Sequence, residues 1–258
     1  MMRAYGAFLC LAVAVLGWGC ASTGSRTSEL PPGIDPNDPL AATMLLREGE
    51  SMLRDGRADQ ALARFRAAAS LQPANPVVHN FIGLAHMAKG EPASAVEAFT
   101  RALSLAPTFT DARNNRGIAY RALGQEALAE SEFLAALQDL TYANRAGVYF
   151  NLGALYLAQG KLEVAEENLR RAASATGPPE AYLLLGEVQE RLGKLAAAED
   201  TYRKGMQRAP ERADVPLRLG TLLLNRGRTA EAREVLQKVV ELAPDSREAA
   251  QARALLGR

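Results

Sequence analysis

The side chains in this 258-residue sequence best suited to holding a metal or moving a proton are its two histidines, His79 and His86. They stand seven apart, where a two-histidine metal site on a helix prefers a spacing of four, and a site would also need further His, Cys or carboxylate ligands nearby. Both are expected to be packing residues. Glu180, Glu187 and Glu190 gather carboxylates of the kind a general acid and base require, but such a cluster on a charged helix is ordinarily a solvated face. No Ser–His–Asp set, phosphate-binding loop or redox cysteine pair can be drawn. The sequence therefore predicts no enzymatic activity, no cofactor, no metal site and no small-molecule substrate. Lys and Arg total 30 against 29 Asp and Glu, so no net field favours nucleic acid.

If the chain does not catalyse, its organisation must carry its function, and that organisation is periodic. Gly49, Gly83, Gly117, Gly153, Gly186 and Gly220 recur at spacings of 34, 34, 36, 33 and 34. Each is followed seven residues later by a second glycine: Gly56, Gly90, Gly124, Gly160, Gly193 and Gly227. A period near 34 is that of a helix–turn–helix array. The first glycine falls mid-helix, where it costs about 1 kcal/mol relative to alanine, a cost that makes sense where a neighbouring helix must come close. The second falls in the turn, where positive φ is cheap. Five residues after each turn glycine comes an alanine, and four further on a large residue: Ala61 and Phe65, Ala95 and Phe99, Ala129 and Phe133, Ala165 and Leu169, Ala198 and Tyr202, Ala232 and Leu236. A spacing of four places small and large on one helix face. Pro73, Pro107, Pro210 and Pro244 then close four of the units, since proline cannot continue a helix.

Tyr149, Leu152, Gly153, Tyr156, Gly160, Ala165 and Ala172 together resemble the tetratricopeptide repeat, and the same frame runs with gaps from Ala42 to Ser246. The resemblance implies an all-α superhelical solenoid of six repeats, 42–75, 76–109, 110–143, 146–178, 179–212 and 213–246, with a short C-terminal cap over 247–258. A composition of 48% hydrophobic residues with only 6% aromatics agrees with stacked helices. Some positions depart from the pattern. Thr141 and Gly177 stand where proline is usual, Gly205 replaces the last small alanine, and His79, Arg113 and Pro216 stand where a bulky residue is expected. These departures predict local irregularity without a change of fold.

Ahead of the repeats, residues 1–19 read as a leader: a short charged start, then an apolar run from Ala4 to Leu16 of the length of a signal-peptide core. The run ends in Gly19-Cys20, which resembles the lipobox of bacterial lipoproteins. That resemblance implies cleavage before Cys20, lipid attachment at Cys20 and, with Ala21 following, sorting to the outer membrane. An uncleaved anchor and an ordinary secretory signal are the alternatives. The other cysteine, Cys10, lies inside the leader, so a chain starting at Cys20 could form no internal disulfide. Residues 20–41, rich in Ser, Thr, Gly and Pro, read as a flexible tether; twenty such residues have a root-mean-square span of about 25 Å.

In tetratricopeptide arrays the first helix of each unit lines the concave face. By that resemblance Val77, Asn80, Leu84, Met87, Asn114, Ile118, Arg121, Phe150 and Leu157 form the partner-binding groove of the central repeats. Thr43, Leu46, Glu50, Leu53 and Arg54 extend it at one end. Glu180, Leu183, Glu187, Glu190, Asp214, Leu217, Thr221 and Leu224 extend it at the other. An apolar strip of this kind suits an amphipathic helix or apolar peptide, although several of these residues could instead contact the adjacent unit.

The 36-residue interval inserts two residues around Thr141 to Arg145. There the pair Gln138-Asp139, Tyr142, Arg145 and the run Asn151-Leu152-Gly153 resemble the corresponding junction of type IV pilus pilotins, six-repeat outer-membrane lipoproteins. The resemblance implies that secretin subunits are the protein partner, brought to the outer membrane for assembly of the pilus exit pore. A general periplasmic scaffold, such as an adaptor for cell-wall enzymes or for barrel-protein assembly, is the alternative.

The anchor is testable at one atom. Cys20→Ser should leave a folded helical protein that no longer fractionates with the outer membrane, because an apolar segment without acyl chains gives no stable hold there. Unchanged outer-membrane fractionation of the variant would reject lipidation at Cys20.

Overall fold

A computed structural model describes residues 30–174 and 177–257; the leader, Cys20 and the first part of the expected tether lie outside the described residues. Twelve of the helices run as consecutive pairs: α1 (Ala41–Arg54) with α2 (Ala58–Leu71), α3 (Pro76–Ala88) with α4 (Pro92–Leu105), and α5 (Thr110–Ala122) with α6 (Glu126–Ala136). The pairing continues as α7 (Arg145–Ala158) with α8 (Leu162–Ala172), α9 (Glu180–Arg191) with α10 (Leu195–Arg208), and α11 (Asp214–Asn225) with α12 (Thr229–Leu242). A single helix, α13 (Arg247–Leu256), follows and covers the apolar end of the last pair, resting on Leu217, Leu236 and Val239. The chain is thus an all-α solenoid of paired helices with a capping helix.

Each hairpin turn is built by the second glycine of its unit. At Gly90, φ is 73°, and the chain reverses so that the Gly90 N–H donates to Met87 O at 3.0 Å and the Glu91 N–H to His86 O at 2.9 Å. These bonds satisfy carbonyls that the end of α3 would otherwise leave bare. The five equivalent glycines share the same left-handed backbone, with φ between 72° and 75°.

The first glycine of each unit explains why the pair closes so tightly. A Cβ on Gly153 would lie 2.6 Å from Leu169 Cγ, and one on Gly117 would lie 2.7 Å from the Phe133 ring. At Gly49, Gly83, Gly186 and Gly220 a Cβ would meet Phe65, Phe99, Tyr202 and Leu236 just as closely. All six large residues are fully buried, as are the alanines four positions before them. The second helix therefore drives one bulky side chain against bare backbone of the first.

Contacts between units set the curvature. The odd-numbered helices from α1 to α13 run close together in series, while among the described residues the backbones of the even-numbered helices stay further apart and α10 and α12 are bridged by a long side chain, Arg203 reaching Glu231 at 3.4 Å. A stack whose first helices meet and whose second helices splay must be concave on the side of the first helices. This concave surface is the candidate ligand face.

Several departures from the repeat pattern have local explanations. His79 and Arg113, expected as irregularities, reach back to the preceding unit, where His79 Nε2 meets Pro73 O and an Arg113 amine donates to Pro107 O, both at 2.8 Å. They secure the same inter-unit bend that a bulky residue would fill. Gly205 makes room for Tyr182 and Val215, which a Cβ there would crowd at 2.9 and 3.1 Å. Pro216 lies in the first turn of α11, where its missing N–H is not needed. The last part of the stretch expected as tether is packed: Leu30 and Ile34 lie on the cluster of Leu45, Ala67, Ala68 and Val78, and turns at Pro31–Ile34 and Asp35–Asp38 fold that stretch onto the array.

Gly153→Leu should overpack the α7–α8 contact and destabilise the array by about 1–3 kcal/mol. Nearest-neighbour coupling should carry the damage into adjacent units before the ends. A melting temperature unmoved by the substitution would contradict the packing described here.

Candidate functional groove

The concave faces of α3, α5 and α7 bring the nine expected central groove residues onto three neighbouring helices, in three different states of burial. Val77 is exposed, and Leu84, Met87, Ile118, Arg121, Phe150 and Leu157 are half-buried. Leu84 and Met87 rest on the core formed by Ala95, Phe99 and Ala119. Ile118, Phe150 and Leu157 rest on the larger central core that includes Leu152 and Leu155. One side of each residue is held by the protein while the other remains partly open, an arrangement suited to burying apolar surface of a partner without rearranging the array.

Asn80 and Asn114 occupy a different role from the ligand-facing one expected of them. They are only 6% and 5% exposed, and their amides join neighbouring units. Asn115 Nδ2 donates to Asn80 Oδ1 at 3.0 Å, and Asn151 Nδ2 donates to Asn114 Oδ1 at 3.1 Å. Sequence singled out Asn151 only as part of the junction run and did not single out Asn115; each lies one position further along its unit than the asparagine frame at 80 and 114. These bonds fix the spacing of α3, α5 and α7 beneath the apolar strip. Outside the centre, Leu217 is also buried, under α13, so it does not line an open surface.

The inserted junction is a polar knot replacing the proline found in other units. Asp139 accepts from the Thr141 N–H at 3.0 Å, the Thr141 hydroxyl at 2.7 Å and, across the turn, the Thr110 hydroxyl at 2.8 Å. These donors hold its carboxyl below the usual carboxylate range. Arg145 donates to the carbonyls of Leu137 and Asp139 at 2.7 Å, and the Tyr142 hydroxyl donates to Asp111 at 2.8 Å. Asp139, Tyr142 and Arg145, three of the residues that suggested the pilotin junction, therefore cooperate in shaping the α6–α7 bend.

Three of the groups that could have suggested catalysis, His86, Glu190 and Glu180, are engaged structurally. His86 is buried and bonds Glu91 at 2.6 Å. Glu190 accepts the Tyr202 hydroxyl at 2.6 Å, and Glu180 and Asp214 both pair with Arg212. Among the described residues no group of three or more His, Cys, Asp or Glu could hold a metal ion, and no helix is long and apolar enough to cross a membrane.

Family models described as tetratricopeptide repeat match residues 82–144, 150–213 and 191–256, together about two thirds of the chain. The structure of PilF from Pseudomonas aeruginosa superposes with a TM-score of 0.70 at 22% identity, covering 83% of this chain and 96% of that one. PilW, described as a widely conserved type IV pilus biogenesis factor, gives 0.71 at 24% identity, covering 81% and 97%. TTC0263, a thermophilic repeat protein of Thermus thermophilus, gives 0.60 at 25% identity, covering 71% and 99%. A curated human relative, protein O-mannosyl-transferase TMTC2, is 33% identical over 99 residues, which are 37% of this chain and only 12% of that protein. At these identities the PilF and PilW likenesses speak for the fold.

Removing the Asn114 amide should leave the Asn151 donor buried without its partner. Asn114→Ala is expected to destabilise by about 1–3 kcal/mol, and by much less in an Asn151→Ala background. Equal losses in both backgrounds, measured by chemical denaturation, would show that the amide bond does not join these units energetically.

Proposed function

The chain belongs to the tetratricopeptide-repeat family, and from that premise we propose that it is a pilotin: an outer-membrane lipoprotein anchored at Cys20, with its repeats in the periplasm, that binds secretin subunits and promotes their multimer assembly for type IV pilus biogenesis. The observation that carries this reading is the strip of Leu84, Met87, Ile118, Phe150 and Leu157, half-buried on three consecutive inner helices. A helical or extended apolar segment laid across it would be dehydrated on one face by a surface already held in place. The likeness to PilW, itself described as a pilus biogenesis factor, spans 97% of that chain and 81% of this one and supports a scaffold of this kind for pilus assembly. The resemblance at Gln138-Asp139, Tyr142, Arg145 and Asn151-Leu152-Gly153 supports the narrower pilotin role. Binding, orientation and delivery are the work assigned to the protein; no bond is made or broken.

An aspartate in the strip separates binding from folding. Ile118→Asp, and independently Leu157→Asp, would set an unpaired charge against an apolar ligand, a desolvation cost of several kcal/mol that exceeds any single lost contact. Because both positions are partly open in the free array, the expected outcome is a folded protein with a modestly lowered melting temperature and sharply reduced secretin multimers in cells. A folded variant with normal multimers and normal piliation would exclude the proposal.

A further inference from the structure

At the centre of the same strip lies a cation without a counter-charge. Arg121 follows Ile118 by three residues on α5, so the two side chains are neighbours on one helix face. The adjacent inner helices supply Leu84 and Met87 on one flank and Phe150 and Leu157 on the other. The other arginines along α5 are partnered: Arg116 bonds Glu132 at 2.6 Å, Arg113 approaches the same carboxylate at 3.9 Å, and Arg113 also donates to Pro107 O. The Arg121 guanidinium is half-buried and has neither an ion pair nor a hydrogen bond among the described residues. Burial pushes its pKa below the ordinary arginine value, whereas Arg212 and Arg228, each beside carboxylates, are pushed upward. A desolvated guanidinium with five unused donors is costly alone and becomes favourable when a carboxylate reaches it in a planar, two-bonded geometry.

We propose that Arg121 is the specificity determinant of the groove and recognises an aspartate or glutamate side chain embedded within an apolar segment of the partner protein. The carboxylate belongs to a side chain inside the segment, not to a chain end, because apolar surface continues on both flanks of Arg121 and a bound chain must run past it in both directions. Apolar contacts alone would accept many segments. The buried cation rejects those that bring no acid, since binding them would complete its desolvation without compensation. This inference deepens the groove reading above and rests on it, but it does not require the partner to be a secretin.

The test uses the full chain, immobilised and screened against a phage-displayed library of random 16-residue peptides, with Arg121→Gln as the parallel target. The wild-type groove should enrich peptides carrying one Asp or Glu at a fixed position among apolar residues; the variant should enrich apolar peptides without that acid. For a selected peptide, replacing its acid by the amide should weaken binding to the wild type by about tenfold or more and leave binding to Arg121→Gln nearly unchanged. Arg121→Gln should fold with an undiminished melting temperature, since it relieves a buried charge. Enrichment without a fixed acid, or equal loss on both targets, would overturn the proposal. So would binding to anionic phosphatidylglycerol vesicles that depends on Arg121 while the acidic peptides fail, an outcome that would assign the cation to lipid phosphate. Selected acidic peptides unrelated to any secretin segment would leave Arg121's role standing and remove the pilotin assignment alone.

Discussion

The structure depends on a contact between a side chain and a missing one. In every unit a fully buried Phe, Tyr or Leu of the second helix presses on a glycine of the first, at a distance no Cβ would allow. This contact lets the two helices of a unit approach closely enough to share one core, and that core is what the next unit stacks upon. Because the approach repeats in all six pairs, units stack in one sense and the first helices are gathered on the inner face. The groove follows from that gathering, and no loop or added domain is needed to make it.

The central units add a second constraint that is polar. Asparagine pairs bind α3 to α5 and α5 to α7, and the junction around Asp139 binds α6 to α7 through hydroxyls and carbonyls. Buried polar links of this kind contribute less than apolar burial but allow fewer geometries. The apolar strip thus sits where the spacing of the units is most narrowly specified. Further along the chain the connections are ionic and more exposed, as where Glu199 gathers Arg203, Arg226 and Arg228 around one carboxylate.

The features legible in the sequence were those in which a residue type and a spacing were both required. Gly153 and Leu169, or Gly117 and Phe133, could be paired because only a small residue opposite a large one fits and the interval repeats. The turn glycines were legible for the same reason. Pairings across units were not. Asn115 meets Asn80 and Asn151 meets Asn114, and neither interval equals the repeat, so their register appears only when the helices are stacked. His79 and Arg113 were misread as irregular because their acceptors are backbone carbonyls, which leave no mark in the sequence. Arg121 was expected in the groove by its position in the repeat, but the absence of a counter-charge depends on what the neighbouring helices fail to supply. Leu30 and Ile34 were hidden by the Pro- and Gly-rich composition around them.

The docking of Leu30 and Ile34 alters the mechanics of an array held at a surface. If Cys20 carries the lipid, nine residues separate the anchor from Leu30, in place of the roughly twenty that composition suggested. The ten steps from Cys20 to Leu30 can reach at most about 34 Å. The first unit would then explore a shallow layer beside the bilayer, and a segment emerging from that bilayer would meet the groove at a correspondingly raised local concentration. The same shortness would limit how far the array could reach towards a partner held deeper in the periplasm.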